Sequence, residues 1–125
     1  MTQRTAHPPT GVDRLPLDLE TMRATARRLL GGEAQLPTGE GLDTHVLALR
    51  GHLELLVPVV EAATLRLPKD HVPRACALAC VGEARMRLRL GDGATESVRL
   101  AVAVKLARSV NALADHTENL NRARR

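Results

Sequence analysis

Few residues in this chain could carry chemistry, and their spacing limits what that chemistry could be. His45, His52, His71, Cys76, Cys80 and His116 are the candidate metal ligands. A zinc or copper site needs donors converging on one point. Here His45 and His52 stand two helical turns apart, and Cys76 and Cys80 offer only two soft ligands on one face. Nothing matches a zinc ribbon, a zinc finger or HExxH, so no metal or other cofactor is expected. Cysteines four apart on a helix point along its axis rather than at each other, so both thiols read as reduced, small core residues. Gly31-Gly32 and Gly91-Asp92-Gly93 lack the Lys-Ser/Thr that completes a phosphate loop. Ser97 and Ser109, the only serines, lie in no nucleophile elbow.

Glu83 carries the one acid–base possibility. It falls on the line Val72, Cys76, Ala79, Glu83, Met86, which is otherwise apolar. A carboxylate buried there must hold its proton or pair with a cation from another helix, for which Arg50, His52, Arg85 and His116 are the candidates. His116 lies at the core edge, on the line Ser109, Leu113, His116, Leu120. One reading is a polar pocket inside a bundle, in which Arg50, His52, Glu83, Arg85 and His116 hold a small molecule or a partner. The other, preferred, is a structural salt bridge that sets helix register. No catalytic residue is assigned under either. The line Arg108, Asn111, Asp115, Glu118, Arg122 reads as a solvated helix face with i,i+4 pairs and no chemistry.

The elements that must position these groups are helical. The fold expected is all-α, an antiparallel bundle of about four helices, with residues 1–14 a disordered arm around Pro8-Pro9 and 15–125 one domain. Asp18 is a good N-cap for a first helix whose stripe is Leu19, Met22, Ala26 and Leu29 and whose end is Gly31-Gly32. The second helix has the clearest signal: Leu42, Val46, Leu49, Leu53, Leu56, Val60, Ala63 and Leu67 recur at alternating steps of four and three. Pro58 falls inside that seam and predicts a kink, with a break as the competing reading. Asp70 is the expected cap of a third helix over about 71–90, where the small residues of ACALACVGEA allow a neighbour to approach closely. Thr95 or Asp92 would cap a fourth, reaching about Asn121, with Val102, Leu106, Val110, Leu113 and Leu120 inward. The alternation of Met86, Leu88, Leu90 and of Val98, Leu100, Val102, Val104 leaves an α+β alternative open, with a hairpin at 85–104.

Composition narrows the function classes. The chain has 125 residues, 44% apolar, with no Phe, Trp or Tyr, so stacking platforms for bases and aromatic cages for cations are unavailable. Lys and Arg exceed Asp and Glu by 18 to 14, and the cations are scattered except at Arg122, Arg124 and Arg125. That ranks nucleic acid third among the readings, behind a protein partner and a small molecule; a tail of that kind suits a helix C-terminus. No apolar run approaches membrane-spanning length and the start MTQRTAHPPTGVDR has no apolar signal region, so a cytoplasmic protein is expected.

The segments RGHLELLVPVVEAA (50–63), VPRACALACVGEARMRL (72–88) and LARSVNALADHTENL (106–120) resemble an uncharacterised family of small actinobacterial proteins labelled natural-product biosynthesis proteins of unknown function. The resemblance implies a biosynthetic setting and supplies no reaction, cofactor or catalytic residue. It also implies an aromatic where Thr117 stands, from which this chain departs. The function expected is a non-enzymatic helical interaction or accessory protein, pairing with itself or with another protein. A small-molecule binder or enzyme using the polar pocket is the alternative.

Overall fold

The computed structural model of the protein describes residues 17–32 and 36–123. The expected arm at 1–14, and Arg124 and Arg125, lie outside the described residues. Four helices follow one another: α1 Leu19–Leu30, α2 Gly39–Leu65, α3 Val72–Leu88 and α4 Glu96–Ala123. No strand occurs among the described residues, and 85–88 and 96–104 are both helical, which removes the hairpin alternative. The physical reason is the neighbours. Met86 and Val98, which the alternating pattern would bury, are exposed, whereas Ala84, Val102, Ala103, Leu106 and Ala107 are buried at helical spacing.

Local chemistry starts and stops each helix. Asp18 accepts from the Thr21 N–H at 3.0 Å, satisfying one of the donors left open at the start of α1. Gly31 closes that helix by donating its N–H to the Arg27 carbonyl, and Gly32 follows at φ 120°. At the start of α2 the Thr38 side chain makes no cap, and the Gly39 N–H is instead taken by Glu96 of α4 at 3.3 Å. Thr95 caps α4, its hydroxyl accepting from the Val98 N–H at 3.2 Å. In the turn before it, Gly93 has φ 98°, and a Cβ there would lie 2.6 Å from Val98 Cγ1, so glycine is required. The expected cap at Asp70 is corrected. The turn Pro68 to His71 closes on its own backbone bond, leaving Asp70 inside it and making His71 the N-cap, with no side-chain bond.

Helix directions follow from the bonds between them. Glu96 reaches Gly39, and Arg99 approaches Asp43 at 3.8 Å, so α2 and α4 start at the same end and run parallel. Arg50, in the first half of α2, bonds the C-terminal end of α3, so α3 runs opposite to both. Arg23 of α1 meets Asp115 and Glu118 near the end of α4, so α1 is antiparallel to α4. Consecutive helices therefore alternate in direction. The parallel pair α2 and α4 forms the largest interface, α3 packs on both, and α1 packs chiefly on α4 and only lightly on α2.

One aromatic-free core joins all four helices. The α2 seam is buried from Leu42 through Leu53 to Val60, but its last steps drift: Val57 and Thr64 are buried and Ala63 is only half-buried. A straight helix of 3.6 residues per turn drifts against a 3.5 repeat, which moves the buried line to a position four after Val60. There the Thr64 hydroxyl donates to the Val60 carbonyl at 2.6 Å. α2 runs through Pro58 unbroken. Pro58 and Glu54, whose carbonyl loses its amide partner, are both exposed, where water can take the bond. α4 buries two lines, the expected one and a second of Ala103, Ala107, Ala114 and Thr117, because it has helices on both sides.

Candidate functional site

Of the five residues singled out by sequence, Arg50, Arg85 and Glu83 each bond to other groups rather than to one another. Glu83, expected to interrupt the core, is corrected first: its side chain is 53% exposed. The buried line of α3 is Ala77, Val81, Ala84, displaced from the expected line through Cys76, Ala79 and Glu83. Cys76 is exposed and so not a core residue, whereas Cys80 is half-buried and packs against the edge of the core. Burial, then Glu83 and Cys76 nearby, pushes the Cys80 thiol up, away from the reactive thiolate.

The arginines instead act as ties between helices. Arg50 donates to the Leu88 carbonyl at 3.0 Å, the Leu90 carbonyl at 2.7 Å and Asp92 Oδ1 at 2.9 Å, closing the carbonyls left open at the end of α3. Arg85 makes a bidentate pair with Glu61 of α2, at 2.6 and 3.0 Å. That pair holds the Glu61 carboxyl below the usual range and Arg85 above its own. Glu83 accepts from Arg87 at 3.1 Å, and Arg87 also donates to the Lys105 carbonyl at 3.1 Å and to Ser109 Oγ at 3.0 Å on α4. His116 is half-buried, two turns beyond Ser109 on the same flank of α4. Among the described residues no hydrogen bond or ion pair joins any two of Arg50, His52, Glu83, Arg85 and His116, and no three His, Cys, Asp or Glu side chains are grouped as metal ligands.

Sequence reasoning missed Arg23, Arg74 and Arg87. Arg23 donates to Asp115 at 2.7 Å and Glu118 at 3.0 Å, so the face read as solvated is half of the α1 to α4 tie. Arg74 donates to the Leu67 carbonyl at 2.7 Å and closes the end of α2. For Arg87 a signal existed, its i,i+4 spacing from Glu83. The partners of Arg23 are remote in sequence, and Arg74 bonds a backbone carbonyl seven residues back across a turn, which no side-chain pattern marks.

His52 differs from the arginines. At about 100° per residue it points about 200° away from Arg50, off the α3 side of α2. The residue is half-buried, yet its Nε2 is buried without a hydrogen-bond partner among the described residues. Burial lowers its pKa below the ordinary value of 6.5.

The feature no chemical motif announced is the outward side of α2. Leu47 is 73% exposed, Leu55 54% and Leu65 54%, with Val59 also exposed. Gly51, Pro58 and Ala62 lie between them at least partly open to solvent. Leu47, Gly51, Leu55, Pro58, Ala62 and Leu65 fall within an arc of about 80°, diametrically opposite the core seam. Between Asp43 and Arg66 the only Asp, Glu, Lys or Arg residues are Arg50, Glu54 and Glu61, and Arg50 and Glu61 are tied to α3 and the turn after it. A contiguous exposed apolar face on a helix is the usual mark of an interaction surface.

A sequence profile described as a family of unknown function (DUF6415) matches residues 20–122. The chain belongs to the DUF6415 family. The match opens in α1 and closes in α4, so the DUF6415 unit is the whole bundle rather than one helix of it. Neither the curated proteins nor the solved structures give a match. At Thr117 this DUF6415 chain buries a hydroxyl that donates to the Leu113 carbonyl at 2.8 Å, so the position is filled within the core. No helix of the described residues is long and apolar enough to cross a membrane.

Proposed function

We propose that this DUF6415 protein is a non-enzymatic helical interaction or accessory protein, working in the cytoplasm in a specialised-metabolism or regulatory setting, and that it pairs with itself or with another protein through α2. The observation that carries the reading is the outward apolar face of α2, set opposite a seam that is already fully used by the core. Its polar side chains argue the same way: Arg50 and Arg85 are tied to neighbouring helices, and Glu83 is paired with Arg87 one turn along its own helix. A small-molecule or enzymatic pocket ranks below it, because Glu83, its intended acid, is exposed and paired.

Light scattering across the micromolar range, together with immobilised protein as bait, tests the reading. Self-association or retention of a partner that is lost in Leu55→Arg, with helicity unchanged, supports it. A monomer that retains no partner overturns it.

A further inference from the structure

The outward stripe of α2 has an internal symmetry that names its occupant. The match is approximate and one of size: Leu47 mirrors Leu65 about Leu56, while Gly51 mirrors Ala62 and Leu55 faces Pro58 about a point half a residue further on. A two-fold interface requires that one patch be complementary to itself, and two helices meeting antiparallel present such a stripe to its own reverse. The large residues at the ends then meet each other, and the small residues next to them leave room for the backbones to close in. A Cβ added at Gly51 would meet nothing within 4 Å among the described residues, so none of them packs on this stretch of α2 from outside.

Charge selects the same orientation. Glu40 and Asp43, the latter 3.8 Å from Arg99, lie in the first turns of α2, Arg66 just past its last residue, and Lys69 and Asp70 in the turn beyond, so the start is net acidic and the end net basic. An antiparallel copy sets acidic against basic at both ends, whereas a parallel copy sets like against like. The helix dipoles oppose in the antiparallel arrangement as well. Over the stripe, Leu47 to Leu65 spans about 27 Å at 1.5 Å per residue, a length suited to one helix-on-helix contact.

We infer that the occupant is a second copy of this chain, its α2 lying antiparallel on the first with Leu47 of each copy beside Leu65 of the other. This rests on the reading of α2 as the interaction surface and deepens it by fixing partner and register. Gly51 against Ala62 forms the close approach, and Leu55 packs beside Pro58 at the centre.

Disulfide trapping in a Cys76→Ala/Cys80→Ala background tests it. Leu47→Cys and Leu65→Cys, both at exposed positions, are oxidised alone and as an equilibrated mixture of the two variants. The expected result is a covalent dimer from the mixture and little from either alone. Covalent dimers from each single variant alone indicate parallel pairing and overturn the inference while leaving the broader reading intact. Circular dichroism first confirms that the cysteine-free background is helical; the same question is otherwise answered by spin labels at the same two positions. Sedimentation adds a second arm: Leu55→Arg weakens the dimer by on the order of 100-fold, since the residue occurs twice in it. Ala101→Arg, on the exposed side of α4, leaves it unchanged. A wild-type chain that sediments as a monomer overturns the inference, and the bait experiment then decides the broader reading separately.

Discussion

The two sides of α2 carry similar residues to opposite fates. Leu49, Leu53 and Leu56 are buried under α3 and α4, while Leu47, Leu55 and Leu65 on the same helix stand in solvent. Hydrophobicity alone does not separate the two sets. What separates them is covering: the inward line meets the parallel helix α4 along its length, and the outward line meets nothing among the described helices because α1 is short and lies mainly on α4. A helix apolar on both sides is a helix with two interfaces, one of them within the chain.

The sharpest way to break that comparison is to truncate one leucine on each side. Leu53→Ala, at a fully buried position, should cost about 2–5 kcal/mol of folding stability, by lost transfer energy and by the cavity it leaves. Leu55→Ala should cost the isolated chain within about 0.5 kcal/mol, as surface substitutions do. Urea unfolding of both, at a concentration where wild type is monomeric, gives the two numbers. A large loss for Leu55→Ala in that state would mean that its side chain is already covered within the chain.

How much of this was legible in sequence depended on how local the cause was. Asp18 and Thr95 were readable as caps because each bonds an N–H three residues ahead. The α2 seam was readable because a long in-phase run leaves little freedom. α3 was misread because it is apolar along two neighbouring lines, and the line through Val72, Cys76, Ala79 and Met86 is as well spaced as the one through Ala77, Val81 and Ala84. Tertiary ties decide between them. Arg85 and Arg87 stand on either side of the second line and reach Glu61 of α2 and Ser109 of α4, which turns that line inward and Glu83 outward. The same lack of remote information hid the role of Arg50, a candidate for ligand contact that closes the end of α3 instead.

Arg50 gives the next largest effect and tests whether the α3 side of α2 is held by polar ties as well as by packing. Arg50→Ala removes three hydrogen bonds of a mostly buried guanidinium. The expected cost is about 1–3 kcal/mol, the range for bonds made by a charged group and for acceptors left open. Hydrogen exchange should show the end of α3 and the turn at 89–92 opening first. A cost below about 0.3 kcal/mol would mean that water replaces the arginine fully. Arg23→Ala should do less, about 0–1 kcal/mol and falling with salt, because Asp115 and Glu118 are largely exposed.

His52 gives the effect that vanishes near neutral pH and so contributes least there. Its pKa in the folded chain lies below 6.5 because burial disfavours the imidazolium, and its buried Nε2 has no acceptor to offset that. Above 6.5 the imidazole is neutral in folded and unfolded chains alike and has no pH-dependent influence. As pH falls below 6.5 the unfolded chain takes up a proton that the folded chain refuses, so the unfolded state gains and stability declines until the folded pKa is reached. Urea midpoints measured from pH 7.5 down to 4.5 should therefore fall more steeply for wild type than for His52→Leu, which has no proton to take up. The leucine variant should be at least as stable as wild type at pH 7.5, since it also removes an unpaired buried nitrogen. Equal slopes for the two proteins would show that Nε2 reaches water in solution, and that the flank of α2 facing away from α3 is as open as the outward stripe beside it.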